Sequence, residues 1–136
     1  MPIIIDGWNL IRCEASGISD DDGKALDSAA SLMAYLSRFQ ETHNDPIVVI
    51  FDSSNEHLGL DFKNSPKLRL VAARNADAHI KKYIDAVPER QRRNIRVVSS
   101  DNDVYYYAKS ACATPIKSEA FWDKLKLSLD TKAFRG

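Results

Sequence analysis

At four places in this chain aspartate follows closely behind an apolar run. Asp6 ends the run in "IIIDGWN" (3–9), Asp52 ends "IVVIFD" (47–52), Asp77 closes "RLVAARNAD" (69–77), and Asp101 and Asp103 stand in "VVSSDND" (97–103). Carboxylates brought together from distant segments repel one another and raise each other's pKa unless something positive sits among them. A hard divalent cation is the natural occupant, because Mg2+ or Mn2+ takes oxygen ligands, keeps several waters and works with a few carboxylates plus substrate phosphate oxygens. A pair of such ions roughly 4 Å apart activates a water and stabilises the leaving oxygen of a phosphodiester. Phosphoryl chemistry is the reaction class implied.

Each acid also has a plainer reading. An aspartate after a strand often caps the next helix. Asp103, directly before "VYYYA", is the best case for a cap, and Asp77 in a first helical turn meets the helix dipole favourably. Asp6 is followed by Gly7 with no evident helix start, and Asp52 by a long loop. Gly7 would let the chain turn sharply beside the acids, or serve as an ordinary loop glycine. Asn9 can hydrogen-bond Asp6 or a phosphate, or cap the segment after it. Ser99 and Ser100 can donate to a phosphate or orient Asp101, but His43, His57 and His79 form no recognisable triad that would make either serine a nucleophile. Trp8 and Tyr105 to Tyr107 offer faces for base stacking or for core packing.

The elements that must position these side chains follow from periodicity. Residues 2–5 and 47–51 are continuous apolar runs that read as buried strands, 68–72 and 95–99 read as a third and a fourth, and 114–116 as a brief fifth. Helices are expected over about 25–42 (Leu26, Ala29, Ala30, Met33, Leu36, Phe39), 76–87 (Ile80, Tyr83, Ile84, Val87) and 103–111 (Val104, Tyr107, Ala108, Ala111). A last helix, capped by Ser118, carries Phe121, Trp122, Leu125 and Leu129, and the tail "TKAFRG" is expected to fray. Turn residues fill 16–23, and 53–66 has loop composition with a turn of helix inside it. Alternating strand and helix predicts one α/β domain over 1–136, with a mostly parallel sheet of four to five strands and helices on both faces. In such a sheet the ligand lies beyond the carboxyl ends of the strands, where all five acids are expected to converge.

Composition narrows the partners. With 136 residues, 44% hydrophobic and 28% charged, the chain has the make-up of a globular protein able to bury a core. Cys13 and Cys112 match no metal or redox spacing, and no apolar run approaches the roughly 18 residues of a membrane span, so a mature cytoplasmic protein is expected. Nineteen basic residues balance nineteen acidic ones, so no global field gathers nucleic acid. A polyanion must be held locally, from runs such as "KNSPKLR" (63–69), "IKKY" (80–83) and "ERQRRNIR" (89–96), whose plainer reading is solvated surface.

On "IIIDGWNLI", "IVVIFD", "ADAHIKKYI", "IRVVSSDNDV" and "IKSEAFWDKL", in order from residue 3 to about 125, the chain resembles the YacP-like branch of the NYN domains in the PIN-like nuclease superfamily. The resemblance implies a three-layer α/β/α domain and metal-dependent cleavage of RNA phosphodiesters by an activated water. It places the acidic ligands on Asp6, Asp52, Asp77 and Asp101, with Asp103 as the second acid of its motif and Asn9 on the polar position of the first. The reading that results is an endoribonuclease using Mg2+ or Mn2+ on single-stranded or locally unpaired RNA. Its backbone would be positioned by Asn9, Ser99, Ser100, Arg74, Lys81, Lys82, Arg92, Arg93 and Lys109, with a second copy or an RNA-associated protein left open as a partner. The alternatives are a non-catalytic PIN-like RNA-binding module and a receiver-like phosphoacceptor switch at Asp52, the latter weakened by the single Asp6 and the lack of a clear strand-end lysine.

Overall fold

The structure, a computed structural model, describes residues 2–13, 25–53 and 62–135, with the backbone alone for 25–27 and 129–135. The turn-rich stretch expected at 16–23, the helical turn expected within 53–66 where it falls on 54–61, and the side chains of Leu26 and Leu129 lie outside the described residues.

The apolar runs form five strands: β1 (Ile3–Asp6), β2 (Ile47–Asp52), β3 (Leu68–Ala73), β4 (Arg96–Val98) and β5 (Thr114–Ile116). Their order is β3-β2-β1-β4-β5 and every pairing is parallel, as the expected sheet required. The pleat sends successive side chains to opposite faces. Ile3, Ile5, Val49, Phe51 and Val98 therefore enter one core, while Ile4, Ile50 and Val97 enter the other. Both faces are buried, which is why these strands read as continuous apolar runs instead of alternating ones.

The first face is covered by α1 (Gly7–Arg12), α2 (Ala25–Phe39) and α6 (Ser118–Arg135), the second by α3 (Ala76–Ala86) and α5 (Asn102–Ser110). This is the α/β/α layering that the sequence resemblance implied. In α2, Ala29, Leu32, Met33, Leu36 and Phe39 fall on one stripe and are all buried. Phe121, Trp122 and Leu125 of α6 meet them, each such side chain contributing about 1.5–3 kcal/mol by leaving water. The buried Trp122 indole N–H donates to the Leu10 carbonyl at 2.7 Å, which locks α6 to α1. The free edge of β3 is partly closed by Asn64, whose side chain accepts from Leu70 N at 2.8 Å and donates to Leu70 O at 3.3 Å. Among the described residues no helix is long and apolar enough to cross a membrane.

Several expectations are corrected. A helix does start directly after Asp6: α1 is six residues long, too short for its two buried side chains, Leu10 and Ile11, to establish a period. Gly7 is consequently helical, not a turn glycine. A Cβ there would lie 2.5 Å from the Phe51 ring, so close packing demands glycine. A further single-turn helix, α4 (Glu89–Arg92), follows Pro88 inside the basic run. The tail continues as helix to Arg135.

Candidate active site

The strand order reverses between β1 and β4, since the chain steps outward from β1 to β2 and β3 before crossing back to β4. A crevice opens beyond the carboxyl ends of strands at such a switch point. Here it is a cavity of about 290 Å3 lined by Asp6, Asp52, Asp77 and Asp101, with Asn9 and Arg12 among its other walls. Four of the five predicted acids are thus brought together. Asp6 and Asp52 are the last residues of β1 and β2, Asp77 lies in the first turn of α3, and Asp101 follows β4.

Asp6 is the buried member, with 8% of its surface exposed. Burial, first, and then the charges of Asp77 and Asp101 push its pKa from 3.8 to about 6. Against this, the Asn9 backbone N–H and the Ser99 hydroxyl favour the ionised form. The Ser99 contact to Asp6 Oδ2 is long, at 3.4 Å, and Asp6 makes no capping hydrogen bond to α1 although it stands at the cap position. Asp77 is also raised, by burial first and then by Asp101, with Asp103 and Asp52 adding to it and Lys81 opposing. Each of the two therefore feels the other acids, which is the electrostatic signature of carboxylates sharing one space.

Asp101, not Asp103, caps α5. Its Oδ1 accepts from Asp103 N at 2.8 Å and Val104 N at 3.3 Å. Asp103 does not line the cavity, and Lys81 Nζ donates to its Oδ2 at 3.0 Å. The proximity of "VYYYA" was misleading because the helix begins at Asn102, one residue earlier than the apolar pattern indicates.

The polar residues around the acids form a brace. Asn9 Oδ1 accepts from Ser100 N and from Ser118 Oγ, both at 2.8 Å, tying α1 to the end of β4 and the start of α6. Ser118 is fully buried and its hydroxyl reaches Asn9, while the first helical bond of α6, from Phe121 N, goes to the Lys117 carbonyl. That differs from the capping role expected of Ser118. The buried Ser99 hydroxyl accepts from Asp101 N at 3.1 Å while facing Asp6, so it links two of the acids. Ser100 Oγ donates to Glu119 Oε2 and accepts from Ser118 N, both at 2.9 Å. Trp8 Nε1 donates to the Asp52 carbonyl at 2.8 Å and its ring packs edge-on to Phe51. Arg12, which sequence reasoning missed, joins the cavity wall; its spacing of six from Asp6 carried no periodic signal.

The predicted cations separate. Arg74 and Lys82 line a neighbouring cavity. Lys81 is committed to Asp103. Arg92 donates to the Val87 and Asp85 carbonyls, and the Arg93 carbonyl accepts from Thr114. Both arginines precede β4, and Lys109 lies in the last turn of α5, so these three stand at the amino-terminal rim of the sheet, opposite the acids.

A hard cation fits this donor set in kind: oxygen ligands only, mutual repulsion that a positive charge would relieve, and room for retained waters. Among the described residues no three acid, histidine or cysteine side chains are already drawn into a metal-ligating cluster, so a cation here would take most of its shell from water.

The family described as the YacP-like NYN domain matches residues 3–133. A crystal structure of Rae1 (YacP) from Bacillus subtilis, a tryptophan-to-leucine variant, superposes with TM-score 0.77 at 15% identity, covering 98% of this chain and 80% of that one. A second structure of Rae1 (YacP) from the same organism gives 0.72 at 14% identity, with 99% and 79% covered. At these identities the likeness is one of fold. No curated protein matches in sequence.

Proposed function

The chain belongs to the YacP-like NYN domain family, and from that premise we propose that it is a metal-dependent endoribonuclease that hydrolyses RNA phosphodiester bonds. The family's PIN-like nuclease fold supports a ribonuclease-type function with RNA as substrate or partner. One observation carries the finer reading: Asp6 is buried at the sheet's switch point with its pKa lifted to about 6, partly by Asp77 and Asp101. A buried carboxylate repelled by neighbouring acids does not stabilise a fold, and such a perturbed group in a cleft marks a candidate functional site.

Asp6, Asp52, Asp77 and Asp101 would hold Mg2+ or Mn2+, which when bound supplies a polarised phosphoryl oxygen and an activated water. The chain's own residues prepare that event. Asn9 and Ser99 fix the β4 end relative to β1, so that Asp101 and Asp6 keep their separation. Asp101 commits Oδ1 to its cap, leaving Oδ2 for the cavity. Asp103 and Lys81 pair beside the site, holding α3 against α5. Trp8, fixed through its N–H, offers a ring face for an unpaired base, and Arg12 supplies positive charge to the cavity wall. Single-stranded or locally unpaired RNA suits an open crevice of this size. A reducing cytoplasm suits Cys13 and Cys112, which form no disulfide.

The absence of a ready metal-ligating cluster among the described residues favours one competing reading, an RNA-binding module without catalysis. Labelled single-stranded RNA with Mn2+ separates the two. Cleavage is expected, stopped by EDTA and abolished in folded Asp6→Asn and Asp101→Asn; cleavage that persists in both variants would end the nuclease assignment.

A further inference from the structure

The helix α3 presents three different faces. Ala76, Ile80 and Ile84 enter the core. Asp77 and Lys81, four apart, face the acid cavity and Asp103. Asn75, Ala78, His79 and Lys82, spaced as i, i+3, i+4 and i+7, form the third stripe. This last stripe and the end of β3 enclose a cavity of about 480 Å3, whose remaining wall includes Ala72, Ala73 and Arg74.

The chemistry of that cavity is one-sided. Arg74, His79 and Lys82 are all exposed and no acid lines it, in a chain whose basic and acidic residues otherwise balance at nineteen each. Among the described residues no hydrogen bond or ion pair engages these three side chains, in contrast to Lys81 and Arg92, which are committed to protein partners. The three alanines leave room between the cations. Asn75 belongs to the wall of both this cavity and the acid cavity, so the two are adjacent along one rim.

We propose that the groove of Arg74, His79 and Lys82 binds a backbone phosphate of single-stranded RNA, next to the phosphodiester that lies over the acids. This deepens the nuclease reading and rests on it for the identity of the strand. Arg74 supplies a planar fork that matches phosphate oxygens, Lys82 a point charge, and His79 a ring N–H donor. The groove answers a difficulty at the acid cavity, which repels the substrate's own charge until a cation is present. A positive site just beside it anchors the strand independently of that cation.

The test is binding, measured separately from cleavage. Fluorescence anisotropy of a labelled single-stranded oligoribonucleotide of about 12 nucleotides is followed in the Asp6→Asn background across a salt series. Adding Arg74→Ala and Lys82→Ala should weaken binding about tenfold and flatten the slope of log K against log salt by about 0.7 for each phosphate no longer neutralised. Adding Arg92→Ala and Arg93→Ala, at the opposite rim, should change neither. Unchanged affinity and slope in the first variant would overturn the proposal, as would equal losses in both, which mean diffuse attraction. Displacement of the RNA by polyglutamate as readily as by unlabelled RNA would also overturn it, in favour of a site for acidic peptide. In the same Asp6→Asn background, one neutral methylphosphonate linkage beside the phosphodiester over the acids should weaken binding, and that loss should vanish once Arg74→Ala and Lys82→Ala are added. If no form of the chain cleaves RNA yet the salt-slope difference holds, the groove stands and the nuclease reading fails; if cleavage holds and the slopes coincide, the groove alone fails.

Discussion

Replacing Asp6 with asparagine should make the metal-free protein more stable. The folded-state pKa of Asp6, about 6, lies above its ordinary 3.8, so the native state favours the protonated form. The stabilising contribution of that proton is complete below the unfolded value, is lost as pH climbs through about 6, and above that the ionised carboxylate weighs against the fold. A difference of roughly two pKa units corresponds to about 3 kcal/mol. Asparagine removes the charge but weakens what Ser99 and the Asn9 amide give the carboxylate, so the net gain is about 1–3 kcal/mol at about pH 8. Urea unfolding in EDTA measures it. The Asp6→Asn advantage should be small near pH 4, grow between 4 and 6, and level off above about pH 7. Saturating Mn2+ should reverse the order, stabilising the parent and leaving the variant nearly unmoved. If Asp6→Asn in EDTA is no more stable than the parent at about pH 8, the picture of a buried, repelled carboxylate is wrong.

Other substitutions separate structural from chemical roles. Asp101→Ala should cost about 0.5–2 kcal/mol in thermal or urea unfolding through loss of the α5 cap, whereas Asp101→Asn should keep most of that stability and lose RNA cleavage. Asn9→Ala strands the donors Ser100 N and Ser118 Oγ, so a loss of about 1–3 kcal/mol is expected, with falling activity even where the variant remains folded. Gly7→Ala forces a methyl into the Phe51 ring and should destabilise by about 1–3 kcal/mol, a loss that a second change, Phe51→Leu, should partly relieve. Because Asp6 must ionise to meet a cation, the thermal upshift given by a fixed Mn2+ concentration should increase as pH rises through about 6, with protons released on binding in calorimetry.

Much of the fold was legible because the sheet is buried on both faces. β1 and β2 announced themselves as continuous apolar runs, β3 and β4 as shorter ones interrupted by Arg69 and Arg96, and α2, α3 and α5 as stripes long enough to show a period. Short elements escaped: α1 and α4 have six and four residues, too few to repeat an apolar position convincingly. The convergence of Asp6, Asp52, Asp77 and Asp101 was legible from the rule that parallel strands deliver their ends to one rim. The division of labour among them was not. Whether Asp101 or Asp103 caps α5 turns on a one-residue difference in helix start, which apolar periodicity does not resolve. Asn9 meets Ser118 across 109 residues of sequence, a pairing that nothing local foretells. Likewise Gly7 owes its identity to the distant Phe51 ring, and the charges in "ERQRRNIR" drew attention although topology carries that run to the opposite rim.

The most direct test is a crystal of the parent protein soaked with Mn2+ and measured at the manganese absorption edge. An anomalous peak is expected in the cavity beyond β1 and β4, within about 2.0–2.4 Å of oxygens from Asp6 and at least one of Asp52, Asp77 and Asp101. A fully soaked crystal with no peak there, from protein that still cleaves RNA, would contradict the shared-cation site.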